Sequence, residues 1–260
     1  MPNTPRNIII TGAGSGIGAA VAQNFTEAGD KVFLADLSGE RLEKVAAGLR
    51  DDLVKTYVVD VTDAEAVNQF VAEVKAEAGS IDVLASCAGV FDSCAGVAET
   101  SPELWDKVVG INLTGTFNVV KPVAAAMTEQ QAGRIILIGS IAAQRAMPDG
   151  LAYCAAKAGL EGMTRRLAFD LGQYGVTANL VAPGVIRTSI RATSTEILGD
   201  MVPDTNVGVG TNQDLMDQLI PLKRGGQPSE IAATVYFLAS EGAGYISGDI
   251  IHVDGGWIAS

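Results

Sequence analysis

The chain has 260 residues, 48% of them apolar and only 5% aromatic, with 30 glycines. That length can bury a substantial core within one domain, and an aromatic-poor composition rich in Ala and Gly suits helices packed on a sheet rather than a β-sandwich. The net charge of −12, from 18 basic and 30 acidic residues without a basic run, disfavours duplex nucleic acid and anionic membranes as partners.

Three cysteines, Cys87, Cys94 and Cys154, form an odd set without metal-ligand spacing. They point to a reducing compartment and to no metal site. The opening MPNTPRNIII is too short an apolar run for a signal segment, and no stretch approaches the roughly 20 apolar residues of a membrane span, so the expected location is cytoplasmic. The single histidine, His252, excludes metal clusters built on paired histidines. It reads as a strand-end residue whose ring is hydrogen-bonded.

In chain order, short β-branched runs alternate with helical segments, and strands are predicted at 7–10, 31–35, 54–59, 83–86, 134–138, 176–181 and 250–253. Most are apolar throughout, as parallel strands buried on both faces must be. The prediction is an α/β fold with a doubly wound parallel sheet, residues 1–260 forming a single domain.

The first strand runs into Thr11-Gly12-Ala13-Gly14-Ser15-Gly16-Ile17-Gly18. The strict GxGxxG spacing fails there, because its third glycine falls on Ile17, and TGxxxGIG stands instead. The physical demand is still met. Glycines permit a tight turn and close approach of backbone to a pyrophosphate at a helix N-terminus. An ATP-type GxxxxGKS or GxxxxGKT loop is missing.

Asp36 closes the second strand, where a carboxylate accepts hydrogen bonds from ribose hydroxyls and repels a 2′-phosphate. Leu37 and Ser38 follow it, and Ala13, Ser15 and Ile17 are the variable positions of the glycine turn, so no cation is expected beside Asp36. NAD is therefore expected over NADP by roughly 10- to 1000-fold. Asp60-Val61 ends the third strand and Ser86-Cys87-Ala88-Gly89 the fourth, and both should border the cofactor cleft. Thr62-Asp63-Ala64-Glu65 fits a capping box, and Ser101-Pro102 a helix start. Asn112, in an apolar helical stretch, is either a satisfied buried amide or the site of a kink or bound water.

Gly139-Ser140 closes the fifth strand, and Tyr153 and Lys157 then stand one helical turn apart on a shared face. A tyrosine has an ordinary pKa near 10, and a nearby cation favours its ionised form for acid–base work. Cys154 should pack away from that face. Pro183-Gly184-Val185-Ile186-Arg187-Thr188 follows the sixth strand, and 185–227 interrupts the alternation, which suggests a substrate lid. Arg145, Arg187 and Arg191 are expected on the pocket rim, and Trp105 and Trp257 in the core or a subunit contact.

Together these residues resemble the short-chain dehydrogenase/reductase family in its compact form. The resemblance spans nearly the whole chain: TGxxxGIG at 11–18, Asp60, AG at 88–89, Asn112, Ser140, YxxxK at 153–157, PG at 183–184 and GDIIHVDGG at 248–256. It implies an NAD-dependent alcohol dehydrogenase or ketone reductase with a tetrad of Asn112, Ser140, Tyr153 and Lys157. Tyr153 would exchange the proton with the substrate oxygen, and Ser140 would bond that oxygen. Lys157 would hold the nicotinamide ribose, and Asn112 would position a water. The cofactor contacts would come from Gly12, Ser15, Gly16, Ile17, Gly18, Asp36, Leu37, Asp60, Val61, Cys87, Ala88, Gly89, Tyr153, Lys157, Pro183, Gly184, Ile186 and Thr188.

The family usually carries NNAG where this chain has Ser86-Cys87-Ala88-Gly89, and backbone contacts are expected to make up for the two lost amides. A tetramer built through the helices after residues 102 and 152 is also implied. Two alternatives remain: a 3-oxoacyl thioester reductase of the same family, and a non-catalytic nucleotide-binding regulator. The regulator would be expected to lose Tyr153 or Lys157, and both are present.

Overall fold

Seven strands line up side by side: β1 (Asn7–Thr11), β2 (Lys31–Asp36), β3 (Val54–Val58), β4 (Val83–Ser86), β5 (Gly133–Ile138), β6 (Val176–Pro183) and β7 (Ile250–Val253). They form one sheet in the order β3-β2-β1-β4-β5-β6-β7, with every pairing parallel. The computed structural model describes residues 5–145, 149–203 and 207–259. The predicted strands are all present, and each observed strand lies within two residues of its predicted limits.

Because successive side chains leave a strand on opposite faces, the apolar strands feed two separate cores. Ile8, Ile10, Val83, Ala85 and Ile136 join α1 (Gly16–Glu27), α2 (Gly39–Ala46) and, near the chain's end, a helix at Pro228–Leu238. Ile9, Leu84, Ile135, Leu137 and Leu180 pack instead on α3 (Ala64–Ala78) and two long helices described next. The sheet is thus a doubly wound α/β layer, Rossmann-like in topology.

α4 (Pro102–Val109) and α5 (Gly115–Gln130) are joined by a wide π turn, Gly110–Thr114, in which Gly115 N donates to Gly110 O. α6 (Leu151–Leu171) carries Tyr153 and Lys157. Segment 185–227 is more regular than expected: it holds α7 (Ile190–Leu198) and α8 (Gln213–Leu219) before α9 (Pro228–Leu238). Positions 146–148, and 204–206 within the expected lid, lie outside the described residues.

Two local expectations are corrected. α3 is capped by Asp63, which accepts from Glu65 N at 3.0 Å and Ala66 N at 3.1 Å. Thr62 instead donates its hydroxyl to Asp60 at 2.7 Å, so the cap falls one residue later and, with Ala66 at the third helical position, no reciprocal box forms. His252 sits half-buried in β7 with its Nε2 unpartnered rather than hydrogen-bonded. Trp105, expected in the core or a subunit contact, lies on the open face of α4, 38% exposed, which leaves the subunit contact of the two. Ser101, by contrast, caps α4 as its Ser-Pro pair predicts, accepting from Leu104 N at 3.1 Å.

Among the described residues no helix is long and apolar enough to cross a membrane, and no group of His, Cys, Asp or Glu is placed to hold a metal ion.

Candidate active site

The strand order reverses direction between β1 and β4, and in such sheets the crevice opens at the carboxyl ends of the strands around that point. A cleft lies there, lined by residues from the ends of β1 to β6 and by segment 185–227. All residues expected to hold the cofactor line it, as do Asn112 and Ser140.

The turn after β1 fits a dinucleotide. Gly12 has φ +62°, and a Cβ on it would lie 2.7 Å from the Ala88 backbone, so only glycine lets the turns after β1 and β4 meet. Those two turns are stitched by Thr11, whose Oγ1 accepts from Cys87 N at 3.2 Å and Ala88 N at 3.3 Å. Backbone contacts therefore hold the Ser86–Gly89 stretch as anticipated, while the Ser86 hydroxyl is buried without a partner. Burial pushes the Cys87 thiol up to about 12, which keeps it inert. At the start of α1 the Ser15 side chain makes no capping bond and the first turn holds no acidic residue. Ser15, Gly16, Ile17 and Gly18 line the cleft there, an arrangement suited to a pyrophosphate.

Asp36 is the last residue of β2. Its Oδ2 accepts from Gly14 N at 3.0 Å, and its Oδ1 accepts from Ser38 N at 3.0 Å and from Arg41 at 3.1 Å. The expectation of no cation beside Asp36 is therefore wrong. Arg41 lies in the first turn of α2, and side chains on a helix lean toward its N-terminus. The guanidinium thus folds back over Asp36 and also bonds Glu196 of α7 at 2.8 Å.

At the other end Tyr153, Ser140, Lys157 and Asn112 come together. Ser140 Oγ accepts from Ala142 N at 3.1 Å and pairs with the Tyr153 side chain. Lys157 is buried, donates to Ile138 O at 2.8 Å and stands 5.5 Å from the centre of the Tyr153 ring. Burial brings its ammonium down to about 8. A Cβ on Gly89 would lie 2.5 Å from Asn112 Oδ1 and 3.6 Å from Lys157 Nζ, which fixes how closely those two groups approach. Asn112 is fully buried in the π turn, its amide donating to Val90 O and Val108 O at 3.0 Å and accepting from Val90 N at 3.1 Å. The amide is satisfied by its own chain, and the helix is widened at Asn112.

The Tyr153 hydroxyl titrates above its ordinary range, not below it. Burial raises it most, Asp149 next, and the Ser140 hydrogen bond pulls the other way. Lys157 does not dominate because its ammonium is turned to the Ile138 carbonyl.

Asp149, Phe91, Val209 and Trp257 also line this end. Sequence reading placed Trp257 in the core or a subunit contact and Val209 within the lid segment, and gave Phe91 no role. Of the three rim arginines, only Arg191 lines the cleft, crossing the Phe91 ring at 5.1 Å; Arg187 borders a separate shallow hollow behind α1. Cys154 packs into an apolar cluster beside the cleft rather than lining it.

Sheet topology and cleft together define a dinucleotide-type fold with an acid–base end. The sequence pattern described as Enoyl-(Acyl carrier protein) reductase matches residues 12–258. The chain is 38% identical to D-threitol dehydrogenase of Mycolicibacterium smegmatis, over 96% of this chain and 91% of the relative. It is 36% identical to a 3-oxoacyl-acyl-carrier-protein reductase of Thermotoga maritima, over 96% of each chain. The crystal structure of levodione reductase superposes with a TM-score of 0.89 at 33% identity, covering 98% of each chain. The chain belongs to the short-chain dehydrogenase/reductase family, oxidoreductases that use nicotinamide cofactors.

Proposed function

We propose that this protein is an NAD-dependent oxidoreductase that interconverts a secondary alcohol and a ketone, with Tyr153 as the general acid–base. The observation that carries this reading is the convergence of Tyr153, Ser140, Lys157 and Asn112 at one end of a cleft whose other end is closed by Asp36. A nicotinamide cofactor, when bound, would supply the hydride acceptor. Ser140, its oxygen engaged by Ala142 N and its O–H shared with the Tyr153 side chain, would turn that O–H to the substrate oxygen. Tyr153, as the phenolate that the Lys157 ammonium helps to stabilise, takes the alcohol proton and becomes the neutral phenol. Asn112, locked to the Val90 backbone, holds the wall behind Lys157.

Asp36 supports NAD as the cofactor, since its carboxylate faces the place of the adenosine ribose. Arg41 tempers that preference, and the low end of the expected range, about 10-fold, suits a carboxylate already paired with a guanidinium. Segment 185–227, with Arg191 and Val209 on the cleft, serves as the lid. A cytoplasmic homotetramer is supported by three free cysteines and by exposed Trp105, Phe117 and Phe169 on α4, α5 and α6.

The test is NADH absorbance with a panel of secondary alcohols, in wild type and Tyr153→Phe. Oxidation by the wild type alone supports the reading, and equal rates in both proteins end it. Reduction of a 3-oxoacyl thioester is the second reading, favoured by the acyl-carrier reductase relative. A thioester reduced much faster than every simple ketone would select it.

A further inference from the structure

At the substrate end of the cleft one charged group has no counterpart in the tetrad. Asp149 lines the cleft beside Tyr153 and Ser140, and its carboxylate makes no hydrogen bond to any described residue. A partly buried carboxylate without donors is costly, so its lone pairs are open to donors from a ligand. The chain directly after it is held firmly. Asp92, fully buried after β4, accepts from Tyr153 N at 3.0 Å and lies directly under Gly150: a Cβ there would meet its Oδ1 at 2.1 Å. Leu151 N donates to Ala95 O at 2.9 Å. The next residue after Asp149 is thus fixed from below, and only glycine fits it.

Around Asp149 the cleft is mostly apolar, with Val90, Ile190, Ile197 and Val209 on its walls. Arg191 is the exception, close enough to draw the Asp149 carboxyl down while burial and then Asp92 push it up, leaving it at about 6. Above that pH the group is an acceptor only.

Resting on the alcohol–ketone reading above, we propose that Asp149 accepts a hydrogen bond from a second hydroxyl of the substrate, and that the preferred substrate is a vicinal diol or longer polyol. The reacting hydroxyl engages Tyr153 and Ser140, and a neighbouring hydroxyl turns its proton to Asp149. The carbon chain lies on the apolar wall. A 3-oxoacyl thioester meets this carboxylate with a carbonyl oxygen, an acceptor facing an acceptor, so the same residue selects against it.

The experiment compares kcat/KM for butane-2,3-diol and butan-2-ol with NAD, in wild type, Asp149→Asn and Asp149→Ala. One hydrogen bond to a charged acceptor corresponds to a diol preference of about 10- to 100-fold in the wild type. The ratio should fall close to one in Asp149→Ala and to an intermediate value in Asp149→Asn, whose amide oxygen still accepts. Diol binding to the enzyme–NADH complex, read by nicotinamide fluorescence, should weaken in the same order. A wild-type ratio near one, or a ratio unmoved by Asp149→Ala, overturns the proposal. Oxidation of butan-2-ol that is lost in Tyr153→Phe keeps the alcohol–ketone reading whatever the ratio shows. Absence of both turnover and diol-dependent fluorescence overturns the Asp149 assignment, and fluorescence lost only in the Asp149 variants sustains it even if oxidation fails.

Discussion

Two carboxylates mark the two ends of the cleft, and they are in opposite states. Asp36 closes a strand and has both oxygens engaged, by Gly14 N, Ser38 N and Arg41. Asp149 stands in a loop with no donor and with its carboxyl pushed up to about 6, mainly by burial. A carboxylate saturated by its own chain acts as fixed wall and fixed charge, able to rank ligands by repulsion. One left without donors has its bonding capacity in reserve, and what binds there must bring hydrogen atoms. Recognition at the first end is built into backbone register, while at the second it waits on the ligand.

The largest effect should come from removing the chemistry between the two ends. Tyr153→Phe is expected to lower kcat by about 100-fold or more, the usual range for a general acid–base group. NAD binding, measured by fluorescence titration of the reduced cofactor, should stay nearly constant because the Asp36 end is untouched. A matching loss of cofactor affinity would break the separation of the two ends.

Next comes charge at the Asp36 end. Asp36→Ala should erase the preference of about 10-fold for NAD over NADP, leaving Arg41 to meet the 2′-phosphate. Arg41→Met should widen the preference instead. Ratios of kcat/KM for the two cofactors decide this, and an unchanged ratio in both variants would remove Asp36 from cofactor choice.

At the Asp149 end two smaller effects concern stability. Asp92→Ala deletes the acceptor for Tyr153 N at the start of α6, whose own N-cap, Gly150, has no side chain to offer. The expected cost is about 1–2 kcal/mol, or several degrees of melting temperature. Asp149→Asn should act in the opposite direction and depend on pH. The folded carboxyl titrates at about 6 against an ordinary 3.8, so folding favours the protonated form and stability is lost as pH rises from 3.8 through 6. Thermal melts should show the variant about 1 kcal/mol more stable at pH 7.5, allowing for partial exposure, with the gain fading as pH falls toward 4. A gain constant with pH would place the effect in packing rather than charge.

How far the sequence revealed each end follows the same division. Thr11, Asp36, Ser86 and Pro183 are terminal strand residues, and Ser140 lies two residues past Ile138, so a parallel register carries them to one edge wherever the strands are recognised. TGxxxGIG and YxxxK then needed only their places in the alternation. Arg41 was missed because proximity was judged along the chain, whereas a first-turn helix side chain leans back toward the strand it follows. α7 was missed because IRATSTEIL combines β-branched residues and hydroxyls of weak helix propensity, and Leu198 and Ser194 bury only through tertiary packing. Asp149 carried no local signal at all. Its importance comes from Asp92, 57 positions earlier, pinning the residue after it.

That pinning has a bearing on how the molecule opens. The amide of Tyr153 is held by a carboxylate sixty-one positions earlier in the chain, not by a neighbour within its own helix. A local cap forms as soon as a helix does, but this one exists only after the loop beyond β4 has docked on α6. Hydrogen exchange at the Tyr153 amide should therefore report the detachment of that loop rather than fraying of α6, and its protection should collapse in Asp92→Ala while amides in the middle of α6 keep theirs. The bond closes a long-range contact at the residue proposed to move the proton, so the order of that first turn is tied to the docking of a distant loop.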